Sequence, residues 1–182
     1  MPISAVIPEP SHEPAHQPPV WLFFGLSGSG KSHVGELIGR TLNWPLYHAD
    51  DDITPAMRQA LAQARPFTDE MRDEYFQQLV QRIKHYRKPG QPLLVTQGVY
   101  KQRHRAWLSE QVPGLIPLWV DAPRELIRQR LGRRSDGVDM SSAAALEQDF
   151  ELPPAGTLRI NNDRDDSHIL AQFDACRQAV AR

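Results

Sequence analysis

Cysteine is almost absent: Cys176 is the only one, so no disulfide can form within the chain, and the sequence suits a reducing compartment, with Cys176 expected as a small buried apolar residue. Long apolar runs are missing as well. The longest, such as Val20-Trp21-Leu22-Phe23-Phe24, fall far short of the roughly 18 residues that a membrane-crossing helix needs, and the amino terminus carries no basic-then-apolar signal. Neither sign of charge dominates. With 21 Lys and Arg against 22 Asp and Glu, the formal charge of −1 excludes both the broad basic surface that duplex nucleic acid requires and an acidic solvating tail. No internal repeat is present. These absences leave a protein expected in the cytoplasm, without membrane contact, that meets any polyanion through a few placed residues. With 40% hydrophobic residues in 182 positions, one sizeable core is expected.

Residues 1–19 hold Pro2, Pro8, Pro10, Pro14, Pro18 and Pro19 among small and polar residues, which predicts a flexible tail ahead of one domain at 20–182. His12 and His16 would share a metal only on a helix, which those prolines forbid. Beyond the tail, short apolar runs alternate with longer amphipathic stretches. Val20–Phe24, Pro45–Ala49, Leu93–Thr96, Ile116–Val120 and Leu158–Ile160 read as five buried strands. Helices are expected over Lys31–Leu42, after Pro55, after a Thr68 cap, after Ala122-Pro123, and over Ser167–Val180. Such alternation predicts an α/β fold with a five-stranded parallel sheet between helical layers.

The first strand runs directly into Gly25-Leu26-Ser27-Gly28-Ser29-Gly30-Lys31-Ser32, which fits Gly, four residues, Gly, Lys, Ser and opens an amphipathic helix. Glycines here allow successive backbone amides to point at phosphate oxygens, and a helix start adds free amides and a positive dipole end. Gly25, Ser27, Gly28, Ser29, Gly30, Lys31, Ser32 and His33 are therefore expected around the phosphates of ATP. Lys31 would reach the β- and γ-phosphates and Ser32 would ligate magnesium.

The second strand ends in Asp50-Asp51-Asp52, at the sheet edge where open α/β folds bind ligands. Asp50 or Asp51 is expected to accept a proton from an attacking hydroxyl, Asp51 also to hold magnesium, and Asp51 or Asp52 to cap the helix after Pro55. The third strand, ending Thr96-Gln97-Gly98, lacks the terminal carboxylate of motor and switch NTPases, which shifts the acidic role onto that aspartate trio. Arg130 and Arg134, followed by Ser135-Asp136-Gly137, are expected to belong to a lid closing over the phosphate.

Taken together, these residues resemble the small P-loop metabolite kinases of the gluconokinase and shikimate kinase-like group, from about Val20 to Asn162. The phosphate loop is very similar to that of gluconokinases. Asp51-Asp52-Ile53-Thr54-Pro55, Pro66-Phe67-Thr68-Asp69-Glu70-Met71-Arg72 and Val99-Tyr100-Lys101-Gln102-Arg103-His104-Arg105 resemble further segments of them. The resemblance implies a P-loop NTPase three-layer sandwich with a small helical substrate-binding insertion and a lid. It also implies ATP, Mg2+, and a small-molecule acceptor held by Asp50, Asp51, Arg72, Lys101 and Arg105. Thr54 stands where gluconokinases have His, and the lid lacks their His-Phe pair.

The expected activity is transfer of the γ-phosphoryl group to a hydroxyl of a small polar metabolite, gluconate or another sugar acid first. Two alternatives stay open: a nucleoside or polynucleotide 5′-hydroxyl as acceptor, and an ATP-binding regulatory module that hydrolyses slowly. The charge balance argues against nucleic acid as partner. A homodimer is the commonest form should the chain self-associate.

Overall fold

A computed structural model describes residues 17–133 and 140–182. Five strands form one parallel sheet in the order β2-β3-β1-β4-β5: β1 Val20–Phe24, β2 Leu46–His48, β3 Leu93–Thr96, β4 Leu115–Asp121 and β5 Leu158–Asn161. Each strand lies where the apolar runs put it, shifted by at most two residues. Side chains alternate across a strand, so β1 feeds two cores. Val20, Leu22 and Phe24 join Leu93, Val95, Tyr75, Leu79, Ile83 and Leu108 on one face. Trp21 and Phe23 join Val34, Ile38, Leu118, Ile160, Ile169 and Phe173 on the other. The result is the expected three-layer sandwich, with Cys176 buried in the second core.

The helices are α1 Lys31–Leu42, α2 Pro55–Ala62, α3 Asp69–Tyr86, α4 Gln102–Gln111, α5 Arg124–Gly132, α6 Met140–Glu147 and α7 Asp166–Val180. As expected, α3 is capped by Thr68, whose hydroxyl accepts from the Met71 amide at 3.2 Å. The cap of α2 differs from expectation. Thr54, directly before Pro55, accepts from the Met57 amide at 3.2 Å, and neither Asp51 nor Asp52 caps this helix because both belong to a separate 3-10 turn, Ala49–Asp52. That turn, α2 and α3 lie between β2 and β3 and form the helical insertion. The chain thus brings three loops together at the carboxyl edge of the sheet: Gly25–Gly30 after β1, the acidic turn after β2, and 97–101 after β3.

Most of the proline-rich tail and the connection Arg134–Asp139 lie outside the described residues. Among the described residues, no helix is long and apolar enough to cross a membrane.

Candidate active site

Phe24 leaves the sheet into a loop whose glycines are sterically required. Gly28 and Gly30 adopt φ of +84° and +90°, and a Cβ on Gly30 would stand 2.0 Å from Asn162 Nδ2. α1 then starts at Lys31 with no side-chain cap and no acidic residue in its first turn. The first-turn amides and the positive dipole end therefore face the loop uncompensated, as an anion site needs. The His33 imidazole turns outward to Asp166 at 2.8 Å, so His33 can offer phosphate only its amide.

The loop is braced from behind. Asn162, at the end of β5, donates to the Ser29 carbonyl at 2.9 Å. Arg130 on α5 donates to the same carbonyl at 3.0 Å, to Gly28 O at 3.3 Å and to Asn162 O at 3.0 Å. Burial lowers the pKa of this guanidinium. Arg130, expected on the phosphate as a lid residue, instead holds the loop's carbonyls at Gly28 and Ser29. Arg134 lies outside the described residues.

In front of the loop opens a cavity of about 860 Å³, within the usual range for small-molecule sites. Lys31 and Ser32 line it together with Asp50 and Asp51, and it continues into the insertion between Met57, Phe67, Phe76 and Leu146. Lys31 is buried, and its Nζ lies 3.5 Å from Asp50 Oδ2. The other oxygen of Asp50 accepts from the Gly98 amide at 3.4 Å, which fixes the carboxylate between two loops. Asp51 is exposed to the cavity, and its carboxylate has no protein partner among the described residues. Asp52 turns away to Arg82 at 2.8 Å and to the Tyr47 hydroxyl at 2.7 Å, a phenol that burial pushes up to about 12. The 3-10 turn thereby sorts three equivalent letters into two cavity carboxylates and one structural one.

The cations expected on the acceptor divide as well. Arg72 lines the cavity, yet its guanidinium is paired with Asp149 at 2.7 Å and donates to Phe67 O at 2.8 Å. Lys101 shares Asp149, at 3.5 Å, and reaches Glu151 at 3.7 Å, behind the cavity lining. Arg105 is placed elsewhere. Buried under Phe24 and Phe150, it donates to the carbonyls of Val99, Tyr100 and Glu151, and burial pushes its pKa down to about 10, still charged at neutral pH. Sequence reasoning passed over Tyr100, Gln97 and Asn162. Tyr100 and Gln97 line the cavity and Asn162 braces the loop; only their position just past strand ends could have marked them.

For magnesium, the Ser32 hydroxyl with the Asp50 and Asp51 carboxylates is an all-oxygen donor set of the kind that ion takes when it also binds phosphates. No group of three or more His, Cys, Asp or Glu among the described residues forms a metal site from protein alone.

Fold and site together define a P-loop α/β protein with an open cavity beside its phosphate loop. The chain belongs to the AAA domain family, whose model matches residues 20–153. It is 28% identical over 167 residues to the thermosensitive gluconokinase of Escherichia coli K12, covering 88% of this chain and 86% of that one. With the shikimate kinase of Bartonella quintana it shares 23% identity over 160 residues, 81% and 72% of the two chains. A gluconokinase structure from Sinorhizobium meliloti 1021 superposes with a TM-score of 0.74 at 21% identity, over 91% of this chain and 97% of that chain, a likeness of fold.

Proposed function

We propose that this chain transfers the γ-phosphoryl group of ATP to a hydroxyl of a small acidic metabolite, with sugar acids such as gluconate as the leading class, in the cytoplasm and with magnesium. One observation carries the reading: Lys31 and Asp50 stand 3.5 Å apart in a single cavity that joins the phosphate loop to a pocket in the helical insertion. A site built only to hydrolyse ATP has no need of that second chamber. The likeness to gluconokinase over most of both chains supports the acceptor class.

In this mechanism the loop amides and Lys31 hold the β- and γ-phosphates. Asp50, oriented by Lys31 and the Gly98 amide, accepts the proton of the acceptor hydroxyl while the hydroxyl oxygen bonds to the γ-phosphorus and the bond to the β-phosphate oxygen breaks, leaving ADP. Ser32 and Asp51 would hold magnesium, which supplies charge neutralisation across the phosphates. Arg72, braced by Asp149, places positive charge on the pocket wall for the acceptor's acid group. Phe67, Phe76 and Leu146 keep water from the transferring group.

The test is ADP release measured over a panel of sugar acids, polyols, nucleosides and 5′-hydroxyl oligonucleotides. ADP formed in proportion to a sugar acid is the expected outcome. Steady ADP release without any acceptor, or turnover confined to oligonucleotides, would overturn the proposal.

A further inference from the structure

The segment after β3 is held in an unusual backbone conformation. Val99, buried and β-branched, has φ of +38°, a region such residues avoid. Its amide donates to Gln97 Oε1 at 2.7 Å, Arg105 donates to the carbonyls of Val99 and Tyr100 at 2.8 and 3.1 Å, and the Glu151 amide donates to Tyr100 O at 2.9 Å. One nitrogen of a buried guanidinium thus serves both carbonyls of this loop. Strain that neighbours over-determine in this way points to a functional group being aimed.

The group delivered is Tyr100. Its ring stands edge-on to Phe150 at 5.4 Å, and its hydroxyl crosses to the phosphate loop, where it accepts from the Ser27 amide at 3.1 Å and lies 3.4 Å from Ser27 Oγ. Gly98 makes room for it, since a Cβ there would meet the ring at 2.9 Å. Accepting from an amide leaves the phenolic proton to donate, and Tyr100 lines the same cavity as Ser27, Lys31 and Asp50. The 97–101 loop also holds Asp50 through the Gly98 amide, so Tyr100 approaches the phosphate loop from the acceptor's side. In the phosphoryl-transfer reading the transferred phosphate would lie on that side, with the inner phosphates against the α1 amides.

We infer that Tyr100 is a specificity-determining contact to the terminal phosphate: its hydroxyl, oriented by the Ser27 amide, donates to the transferable phosphoryl group and lets the site prefer nucleoside triphosphate over diphosphate. This rests on the phosphoryl-transfer reading above. Tyr100→Phe keeps the ring and its contact with Phe150 and removes only the hydroxyl.

The experiment titrates full-length protein and Tyr100→Phe with magnesium-ADP and with a non-hydrolysable ATP analogue by calorimetry. The variant should bind the triphosphate about tenfold more weakly and ADP within about twofold of the parent protein. Gly98→Ala, which displaces the ring, should give the same selective loss, with its melting temperature checking the fold. Equal weakening of both nucleotides, or no change in either, overturns the inference and reduces the hydroxyl to a brace of the loop. A parent protein that prefers the triphosphate but turns over no acceptor would refute phosphoryl transfer and leave the Tyr100 contact standing.

Discussion

In the proposed mechanism the phosphate rim of the cavity works through one short stretch of sequence: Gly25 to Ser32 contains the amides, the lysine and the hydroxyl. The acceptor rim works through side chains that arrive from α2, α3, the 97–101 loop and α6. The two rims treat arginine alike in an instructive way. Arg130 holds the carbonyls of Gly28 and Ser29, Arg105 those of Val99 and Tyr100, and Arg72 is tied to Asp149. In both rims guanidinium groups hold the segments that line the cavity, because a planar fork of fixed donors suits converging carbonyls and carboxylates.

The sharpest break between the rims falls on charge. Lys31→Ala should reduce phosphoryl transfer about a thousandfold or more, and Asp50→Asn by about a hundredfold to ten-thousandfold, each with a melting temperature near the parent's, because both act on reacting groups and fill no core. Asp52→Asn, one position past the cavity pair, should leave turnover within about threefold, since its partners are Arg82 and Tyr47. Equal losses at Asp50 and Asp52 in steady-state kinetics would show that the 3-10 turn does not sort the trio.

Next in size is Arg105→Met, which keeps the apolar stem and removes the guanidinium. It should lower unfolding free energy by about 2 to 4 kcal/mol, because the buried carbonyl of Val99 and the half-buried one of Glu151 lose a donor. A variant of unchanged stability with a raised acceptor KM would instead return Arg105 to the acceptor. Arg72→Lys comes third. Losing the paired geometry to Asp149 should raise acceptor KM about tenfold to a hundredfold while ATP KM stays put. A shift in ATP KM with the acceptor spared would move Arg72 to the phosphate rim.

The phosphate rim was legible because its motif is local: strand, glycines, lysine and helix are contiguous, and only the braces from Arg130 and Asn162 come from afar. Strand positions were legible for a similar reason, as both-face burial demands unbroken apolar runs such as Leu93-Leu94-Val95. The acceptor rim was legible only as a list of residue types. Arg72 and Asp149 are 77 positions apart, and Arg105 and Glu151 are 46. Nothing in either neighbourhood says whether a cation faces a ligand or a carbonyl. Asp50, Asp51 and Asp52 were indistinguishable as letters, and only the turn that carries them, with Thr54 taking the cap, assigns them different partners. Tyr100 was hidden for the opposite reason. A tyrosine beyond a strand reads as core, and its reach to Ser27 depends on a Val99 conformation that no propensity predicts.

The smallest effect concerns the outer edge of the acceptor rim, where α3 and α4 meet. His104 on α4 is buried against Phe76, and its Nε2 donates to Asp73 at 2.7 Å, while Nδ1 has no partner among the described residues. Burial lowers its pKa below the ordinary 6.5; the bond to Asp73 opposes that shift, and the positive charges of Arg103 and Arg72 add to it. Unfolded, His104 takes up a proton below about pH 6.5 more readily than it does folded, so the unfolded state gains stability from acid first. His104 therefore contributes stability that is present above pH 6.5 and lost as pH falls through its lowered folded value. Asp73, whose own pKa is lowered chiefly by the bond from His104, adds a second loss in a more acidic window, below the usual carboxylate value of 3.8. Melting temperature followed from pH 7.5 downward should fall in the protein, and His104→Phe should flatten the fall in the window just below pH 6.5 and shrink the more acidic one, since Asp73 then loses the bond from His104 and keeps the one from Arg103. An unchanged pH slope in that variant would mean that His104 titrates alike in both states, and that the junction of α3 with α4 is more open to water than its packing against Phe76 implies.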